Sequence, residues 1–447
     1  MPVTQFTTNS HGEFLPHPLK KAAYAGGIVT ASADTARKNT GFLGCGVALT
    51  GSSCYTLSRL PRDERKELLK TLYTDKGLAL AVGRLCIGAS DYAAELYTYD
   101  DEENDLDLAR FSVDRDKDYI LPVIREVLDT KSDLYLFASP WSPPGWMKTG
   151  GSICGGHMRE RFLDVYARYI VRFLEAYAKE GVPVRALTPQ NEPETQQFGR
   201  MPACVWNPET EAAFAIVLRK ALSAAGLSPE IWLCDHSFAY VSRVAWQLAN
   251  VEGLREAVNA AAFHYYDGSI EQTAALKEQF PDLALHFTEG GPRLYDHYDT
   301  DWCKWGEMLC KTLNNGYRSF TGWNLALDET GGPNIGPFFC GGLVTVNSKT
   351  GEITKSGQYK ALRHVSPFVG KTDTAYPVSF SPNGGNMFAY PHTGALLTGT
   401  FVERADGSAA LILVNPGTDK AQTQFFRDGA WWYIELLPDT LSTVVFD

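Results

Sequence analysis

The chain of 447 residues is 44% hydrophobic and 21% charged, a composition that excludes a disordered chain and supplies enough apolar side chains for a large core. Its 52 acidic and 41 basic side chains leave a net charge of −11, which disfavours nucleic acid and anionic membrane surfaces as partners. The length fits one large domain such as a barrel, two domains, or both.

The N-terminal segment, residues 1–40, lacks the alternation of strands and helices that follows it. Its beginning has no apolar core like that of a signal peptide, and no later stretch approaches the roughly 18 apolar residues of a membrane span. We therefore expect a cytoplasmic protein without a membrane partner. The alternative is a secreted protein whose leader has been removed.

From residue 41 onward, short apolar runs alternate with stretches of helical periodicity, which indicates βα units. The predicted strands are Phe42–Thr50, Leu78–Cys86, Leu134–Ser139, Val184–Thr188, Ile231–Asp235, Ala261–Tyr266, Leu283–Thr288 and Ser319–Leu325. The predicted helices are Arg62–Tyr73, Tyr119–Thr130, Arg159–Lys179, Pro208–Ala225, Val241–Ala249, Ile270–Gln279, Asp301–Asn314 and Ser356–His364. Eight units predict a (β/α)8 TIM barrel over residues 41–366, with an open doubly wound sheet as the alternative.

After Pro367 the pattern changes to short β-rich runs separated by turns that contain glycine. The runs are Leu396–Val402, Ala409–Val414, Gln422–Phe426, Trp431–Leu437 and Ser442–Phe446. Residues 367–447 are therefore predicted to form a second, smaller all-β domain, a β-sandwich. Residues 1–40 are expected to pair with it, because barrel termini lie close together.

Nine cysteines include no Cys-x-x-Cys pair and no Cys/His cluster at metal spacing, so we expect free thiols and no metal site. Gly44-Cys45-Gly46 lacks the rest of a dinucleotide-binding loop, and no phosphate-binding loop or G-x-S-x-G elbow occurs. No cofactor is predicted, and the composition says nothing about the oligomeric state.

Two of the predicted barrel strands end in a glutamate. Glu192 follows the fourth strand in Gln190-Asn191-Glu192-Pro193, and Glu289 follows the seventh in Thr288-Glu289-Gly290-Gly291. Because these strands are three positions apart around the barrel, the two carboxylates are expected on facing walls of its mouth. Paired carboxylates across a cleft are what glycoside hydrolysis requires. Taken singly, each glutamate is as readily explained as a solvated loop residue.

Other side chains at these strand ends suit a sugar ligand. Trp141 and Trp323 can stack on the apolar faces of sugar rings, although a lone tryptophan is more often part of a core. Arg84 lies late in the second strand, where its cation can keep a carboxylate ionised. The remaining polar candidates on this rim are Asp91, Asn191, His264, Tyr266 and Asn324. For His264, a hydrogen-bonded core position is an equal alternative.

Six motifs occur together along the barrel. They are Gly44-Cys45-Gly46-Val47-Ala48-Leu49-Thr50, Arg84–Tyr92 with Tyr97–Asp100, Ala138–Trp141, Gln190–Pro193, Thr288–Gly290, and Trp323–Leu327 leading to Gly331–Asn334. With these motifs the chain resembles glycoside hydrolase family 30, the retaining β-glycosidases that include the glucosylceramidases. The resemblance implies a (β/α)8 barrel with a side β-structure, Glu192 as general acid/base and Glu289 as nucleophile.

The resemblance further implies which side chains meet the sugar. It assigns sugar contacts to Asp91, Trp141 and Asn191, and it assigns the lining of the same subsite to Arg84, His264, Tyr266 and Trp323. Burial and the charge of Glu289 are expected to raise the pKa of Glu192, so that this carboxyl is protonated near neutral pH.

The expected substrate is a small β-glycoside or oligosaccharide, cleaved by an exo-acting β-glucosidase. The alternatives are an endo-β-1,6-glucanase, galactanase or xylanase of the same family, and a non-catalytic carbohydrate-binding protein. Residues 194–205, Thr330 and Ile335 depart from the glucosylceramidase pattern, which leaves the leaving-group specificity open. A lipid substrate is not expected, since no membrane-docking patch is evident.

Overall fold

The computed structural model describes residues 3–381 and 397–447. Its first strands are β1 Val3–Asn9, β2 Gly12–Leu19, β3 Lys21–Ala22, β4 Val29–Ala33 and β5 Asn39–Thr40. Eight parallel strands then close a barrel: β6 Gly44–Ala48, β7 Val82–Ile87, β8 Tyr135–Pro140, β9 Ala186–Leu187, β10 Glu230–Ser237, β11 Ala260–His264, β12 Ala284–Glu289 and β13 Ser319–Gly322. The closed barrel confirms the predicted (β/α)8 class and excludes the open doubly wound sheet.

Helices return the chain along the outside of the barrel. They are α1 Gly51–Arg59, α2 Arg62–Tyr73, α3 Ile120–Thr130, α4 Leu163–Lys179, α5 Pro208–Ala224, α6 Val241–Asn250, α7 Leu254–Ala257, α8 Ala274–Gln279, α9 Trp302–Asn314 and α10 Gly357–Val365. In α4, residues spaced by three and four, including Tyr166, Ile170 and Phe173, are buried as one apolar stripe. These helices cover the barrel and leave the carboxyl ends of its strands for the site.

A small sheet of β14 Ala326–Asp328, β15 Val344–Val346 and β16 Ile353–Lys355 follows the barrel. The final strands are β17 Thr374–Ser381, β18 Thr398–Glu403, β19 Ala409–Asn415, β20 Ala421–Arg427, β21 Ala430–Leu436 and β22 Thr440–Phe446. They form one sheet with the N-terminal strands, in the order β2-β1-β22-β19-β18-β17-β4-β20-β21-β3. The predicted Leu396 lies outside the described residues.

The two halves of this sheet pack face to face. Phe446 on β22 contacts Phe425 on β20 and Trp432 on β21, with ring centroids 6.0 and 6.1 Å apart. Aromatic and aliphatic side chains between the halves form a core separate from that of the barrel. This all-β unit confirms the second part of the predicted class. The exact domain boundaries stay predictions.

All nine cysteines are free thiols, seven of them buried. No helix within residues 3–381 and 397–447 is both long enough and apolar enough to cross a membrane.

Candidate active site

The two glutamates lie at the ends of β12 and β9. Glu289 is the last residue of β12, and Glu192 follows β9 with a backbone φ of 49°. A non-glycine residue at positive φ is strained and needs support from its surroundings. The Glu192 N–H donates to the carbonyl of Asp235 at 3.0 Å, which holds the strained turn in place.

A buried cation links the surroundings of the two glutamates. Arg84 on β7 donates to the Glu289 carboxylate, to Asn191 Oδ1 at 2.8 Å and to Asp235 Oδ2 at 2.8 Å. Neither Arg84 nor Asp235 is accessible to solvent. Burial works to raise the pKa of Asp235, but Arg84 and His264 hold that pKa well below its usual value. Asp235 is therefore the permanent counter-ion of Arg84.

His264 lies between three carboxylates. Its Nε2 is 3.0 Å from Asp235 Oδ1, and its Nδ1 is 3.2 Å from Glu192 Oε1 and 3.9 Å from Glu289 Oε2. Burial works to lower the pKa of His264, but the three carboxylates raise it to about 9. At neutral pH His264 is an imidazolium that donates to Asp235 and to Glu192.

The protonation of Glu192 differs from the sequence-based expectation. Burial does work to raise its pKa. The hydrogen bond from His264 and the positive charges of His264 and Arg84 nevertheless bring the pKa below its usual value. Gln197 Nε2 also donates to Glu192 Oε2, at 2.6 Å. The expectation of a protonated Glu192 is therefore wrong. One proton is shared by the His264–Glu192 pair and resides on His264.

The proton shared by His264 and Glu192 predicts the pH at which kcat/KM falls on the alkaline side. Arg84 and the three carboxylates face His264, and its raised pKa means that the shared proton is lost as the pH rises through about 9. We expect kcat/KM for a glycoside with a poor leaving group to fall with a midpoint near that pH. In His264→Gln the limb moves to lower pH, because Glu192 then holds its proton alone. His11→Gln, at an exposed position, is the control. An alkaline limb that is unchanged in His264→Gln contradicts the sharing.

A cavity of about 280 Å³ opens onto both glutamates. On one wall the indoles of Trp141 and Trp323 stack, with ring centroids 5.2 Å apart and planes at 22°. Tyr266 donates its hydroxyl hydrogen to Glu289 Oε1 at 2.9 Å. An indole wall beside hydrogen-bonding groups suits the faces and hydroxyls of a sugar ring. The predicted residues that line this cavity are Asp91, Trp141, Asn191, Glu192, Tyr266, Glu289 and Trp323.

Three predicted residues do not line it. Arg84 and His264 are fully buried behind the two glutamates, to which they are hydrogen-bonded. Asn324 is also buried, and its Oδ1 accepts a hydrogen bond from Thr50 Oγ1 at 2.8 Å, at the start of α1. The structure therefore does not place these three side chains on the cavity wall, and a role for them in binding the sugar stays a prediction. Arg84 and His264 carry positive charges inside the barrel, where both are paired with the buried carboxylate of Asp235.

Asp91 lies beneath the loop that follows β14. Its carbonyl oxygen accepts from the Ile335 N–H at 2.8 Å, and a Cβ on Gly336 would come within 2.7 Å of the Asp91 Cβ. Burial and the charges of Glu289 and Glu192 raise the pKa of Asp91 well above its usual value. Its Oδ1 is buried without a hydrogen-bond partner, so this oxygen is available to a substrate hydroxyl.

Sequence reasoning missed several side chains of this site, among them Asp235, Gln197 and His236. Asp235 ends the predicted fifth strand, so a carboxylate at a strand end was the available signal. Gln197 and His236 are brought to Glu192 by backbone bends that no sequence pattern marks.

Glu192, His264 and Glu289 each place one nitrogen or oxygen atom within 4.8 Å of the others, a spacing that a metal ion can use. The imidazolium of His264 has no free lone pair, and Glu289 is already paired with Arg84. The donor set therefore fits a charge-paired cluster better than a metal site.

Comparisons with known proteins place this site in context. The family model described as the glycosyl hydrolase family 30 TIM-barrel domain matches residues 42–369. A putative glucosylceramidase 4 of Caenorhabditis elegans is 27% identical, covering 99% of this chain and 88% of that protein. An endo-1,6-β-D-glucanase of Neurospora crassa is 27% identical (89% and 83% covered), and the lysosomal acid glucosylceramidase of Mus musculus is 28% identical (84% and 75%).

Two solved structures share the fold over the whole chain. The endo-β1,6-glucanase BT3312 has a TM-score of 0.87 at 24% identity, covering 100% of this chain and 99% of that chain. SrfJ from Salmonella typhimurium has a TM-score of 0.89 at 22% identity with the same coverage. Both structural similarities cover the barrel and the all-β unit.

Proposed function

Since the chain belongs to glycosyl hydrolase family 30 and is a glycoside hydrolase, we propose that it is a retaining, exo-acting β-glucosidase of small β-glucosides. Glu289 is the nucleophile of the proposed reaction and Glu192 is the acid/base. The observation that carries the proposal is the closeness of the two carboxylates, which have oxygen atoms within 4.8 Å of one another beside an indole-walled cavity. Retaining enzymes separate their carboxyl groups by about 5–5.5 Å, whereas inverting enzymes need about 6.5–9.5 Å to admit a water molecule.

The first step forms a bond between a Glu289 oxygen and the anomeric carbon while the glycosidic C–O bond breaks. Arg84 and the Tyr266 hydroxyl donate to Glu289 and favour its ionised form. The leaving oxygen takes the proton shared by Glu192 and His264. In the second step water attacks the anomeric carbon, its proton passes to Glu192, and the ester to Glu289 breaks.

The choice of a glucosyl unit is supported by the relatives, whose names are those of glucosylceramidases and 1,6-β-glucanases. Exo action is supported by the loop after β14, which packs on Asp91 and contributes Phe338 and Cys340 to the cavity wall. A pocket that ends behind a single sugar accepts chain ends and small glycosides.

An endo-β-1,6-glucanase is the second candidate, supported by the named relatives of that activity. The products from a β-1,6-glucan separate the two functions. We expect glucose alone at early times, because only the terminal unit fits. An early mixture of oligosaccharides would establish endo action instead, and no release from any β-glucoside would overturn both.

Glu192→Ala is expected to affect substrates according to their leaving groups. For an alkyl β-glucoside, kcat/KM falls by about 10²–10⁴-fold because the alkoxide departs without a proton. For 2,4-dinitrophenyl β-glucoside, kcat/KM changes little, since that phenolate needs no protonation. Steady-state kinetics on both substrates checks this, and an equal loss on both would show that Glu192 is not the acid.

A further inference from the structure

The cavity wall around Glu192 differs in chemistry from the wall opposite. Trp141 and Trp323 belong to an apolar cluster that also contains Tyr92 and Cys340. Beside Glu192 the lining is polar instead, with Thr195, Gln197, His236, Ser237 and Tyr240. Because the acid/base carboxyl protonates the leaving oxygen, the side chains next to it surround the leaving group.

His236 reaches this wall through a distortion at the end of β10. Cys234 and Asp235 have backbone φ values of 74° and 50°, and the pairing of β10 with β11 shifts register between Cys234 and His236. Two consecutive non-glycine residues at positive φ are strained, and bulges beside active sites re-aim side chains. Regular alternation would send Asp235 and His236 to opposite faces of the strand. Here Asp235 binds Arg84 inside the barrel and His236 still lines the cavity.

The hydrogen bonds of His236 define its chemistry. Its Nδ1 accepts the Ser237 N–H at 2.9 Å and lies 4.0 Å from Glu192 Oε1. Burial lowers its pKa to about 4, so the ring is neutral at neutral pH and its hydrogen is on Nε2. That Nε2 is buried without a hydrogen-bond partner, and a buried donor left unpaired is costly.

Two neighbours complete the wall. The His236 ring stacks on Tyr240, with centroids 4.0 Å apart and planes at 23°, which fixes the orientation of the imidazole. Gln197 supplies an amide whose Nε2 is bound to Glu192 Oε2 at 2.6 Å. The approach of a leaving-group oxygen to Glu192 would release this amide to bind another acceptor.

We propose that His236, with Tyr240 behind it and Gln197 beside it, forms a subsite for a hydroxylated leaving group, a second sugar unit, to which the His236 Nε2–H donates. This inference rests on the proposed function and adds the class of leaving group. A sugar supplies hydroxyl acceptors, whereas an alkyl chain would leave these polar groups unpaired.

Two variants and three substrates test the subsite. His236→Phe keeps the stacking on Tyr240 and removes the N–H, whereas His236→Gln restores a donor. The substrates are the glucose β-disaccharide that the wild type cleaves fastest, butyl β-glucoside, and 4-nitrophenyl β-glucoside. The butyl and disaccharide leaving groups both need a proton, but only the disaccharide offers hydroxyls.

In His236→Phe we expect kcat/KM for the disaccharide to fall about tenfold or more. The values for the butyl and 4-nitrophenyl glucosides fall much less than the value for the disaccharide, and His236→Gln recovers part of the loss on the disaccharide. An equal fall on the disaccharide and the butyl glucoside would overturn the subsite, because His236 would then act through Glu192. No fall on any substrate would overturn it as well.

The substrates that the wild-type enzyme cleaves distinguish a failure of this inference from a failure of the proposed function. Cleavage of the aryl and butyl glucosides without cleavage of any disaccharide overturns the sugar subsite and leaves the β-glucosidase standing. A wild type that cleaves none of the three substrates overturns the proposed function itself.

Discussion

Glu289→Ala is expected to lower turnover of every β-glucoside by about 10⁴-fold or more, with the fold intact. The reason is that the substitution removes the oxygen that bonds to the anomeric carbon, the same carboxylate to which Tyr266 and Arg84 donate. The loss includes aryl glucosides, in contrast to Glu192→Ala. Glu278→Ala removes an exposed glutamate on α8 and should keep wild-type activity.

Added azide identifies the role of each glutamate. In Glu289→Ala the space left by the carboxylate admits azide, which forms an α-glucosyl azide from an aryl β-glucoside as the phenolate departs. In Glu192→Ala azide attacks the glucosyl ester of Glu289 and forms the β-glucosyl azide. If Glu289→Ala gave the β-azide and Glu192→Ala the α-azide, the roles of the two glutamates would be exchanged. Near-wild-type activity of Glu289→Ala would exclude Glu289 as the nucleophile.

Arg84→Met is expected to have the largest effect on stability. It leaves Asp235 and Glu289 as buried carboxylates without their shared cation, and breaking such a buried pair costs about 3–5 kcal/mol. It also removes the guanidinium that lies 4.8 Å from the Trp141 ring centroid. The measurement is the change in the free energy of unfolding by urea, with activity assayed on the folded fraction.

Arg115→Met is the matched control, since Arg115 pairs with Glu95 at 3.4 Å and both side chains are more than half exposed. A surface pair of this kind contributes about 0–1 kcal/mol. Equal effects of the two substitutions would show that the Arg84 network does not stabilise the fold. Arg84→Lys keeps the charge without the planar fork and should fall between the wild type and Arg84→Met.

The architecture could be predicted where local pattern and tertiary packing agree. The stripe of α4 is periodic, and the observed helix begins only a few residues later than predicted. Helix α1 was missed, because its Gly51-Ser52-Ser53 start is poor in helix formers. It is stabilised instead by burial and by Thr50, whose side chain accepts from the Ser53 N–H. Family membership, also predicted, is confirmed by the match over residues 42–369.

The site was predictable where barrel topology alone places a side chain. Glu192 and Glu289 come together because the carboxyl ends of parallel strands meet at one mouth. His236 was missed because its placement depends on a bulge in β10 that the sequence does not mark. The pKa of Glu192 was misjudged for a related reason: it depends on His264, whose proton is held by Asp235 from a different strand.

The stereochemistry of hydrolysis tests the central claim, a retaining reaction through Glu289. Proton NMR of wild-type enzyme with 4-nitrophenyl β-glucoside reports the anomer of glucose that forms first, before mutarotation. Two displacements at the anomeric carbon predict that β-glucose appears first and α-glucose only later. Initial formation of α-glucose would mean a single displacement by water and would contradict the glucosyl–enzyme on Glu289.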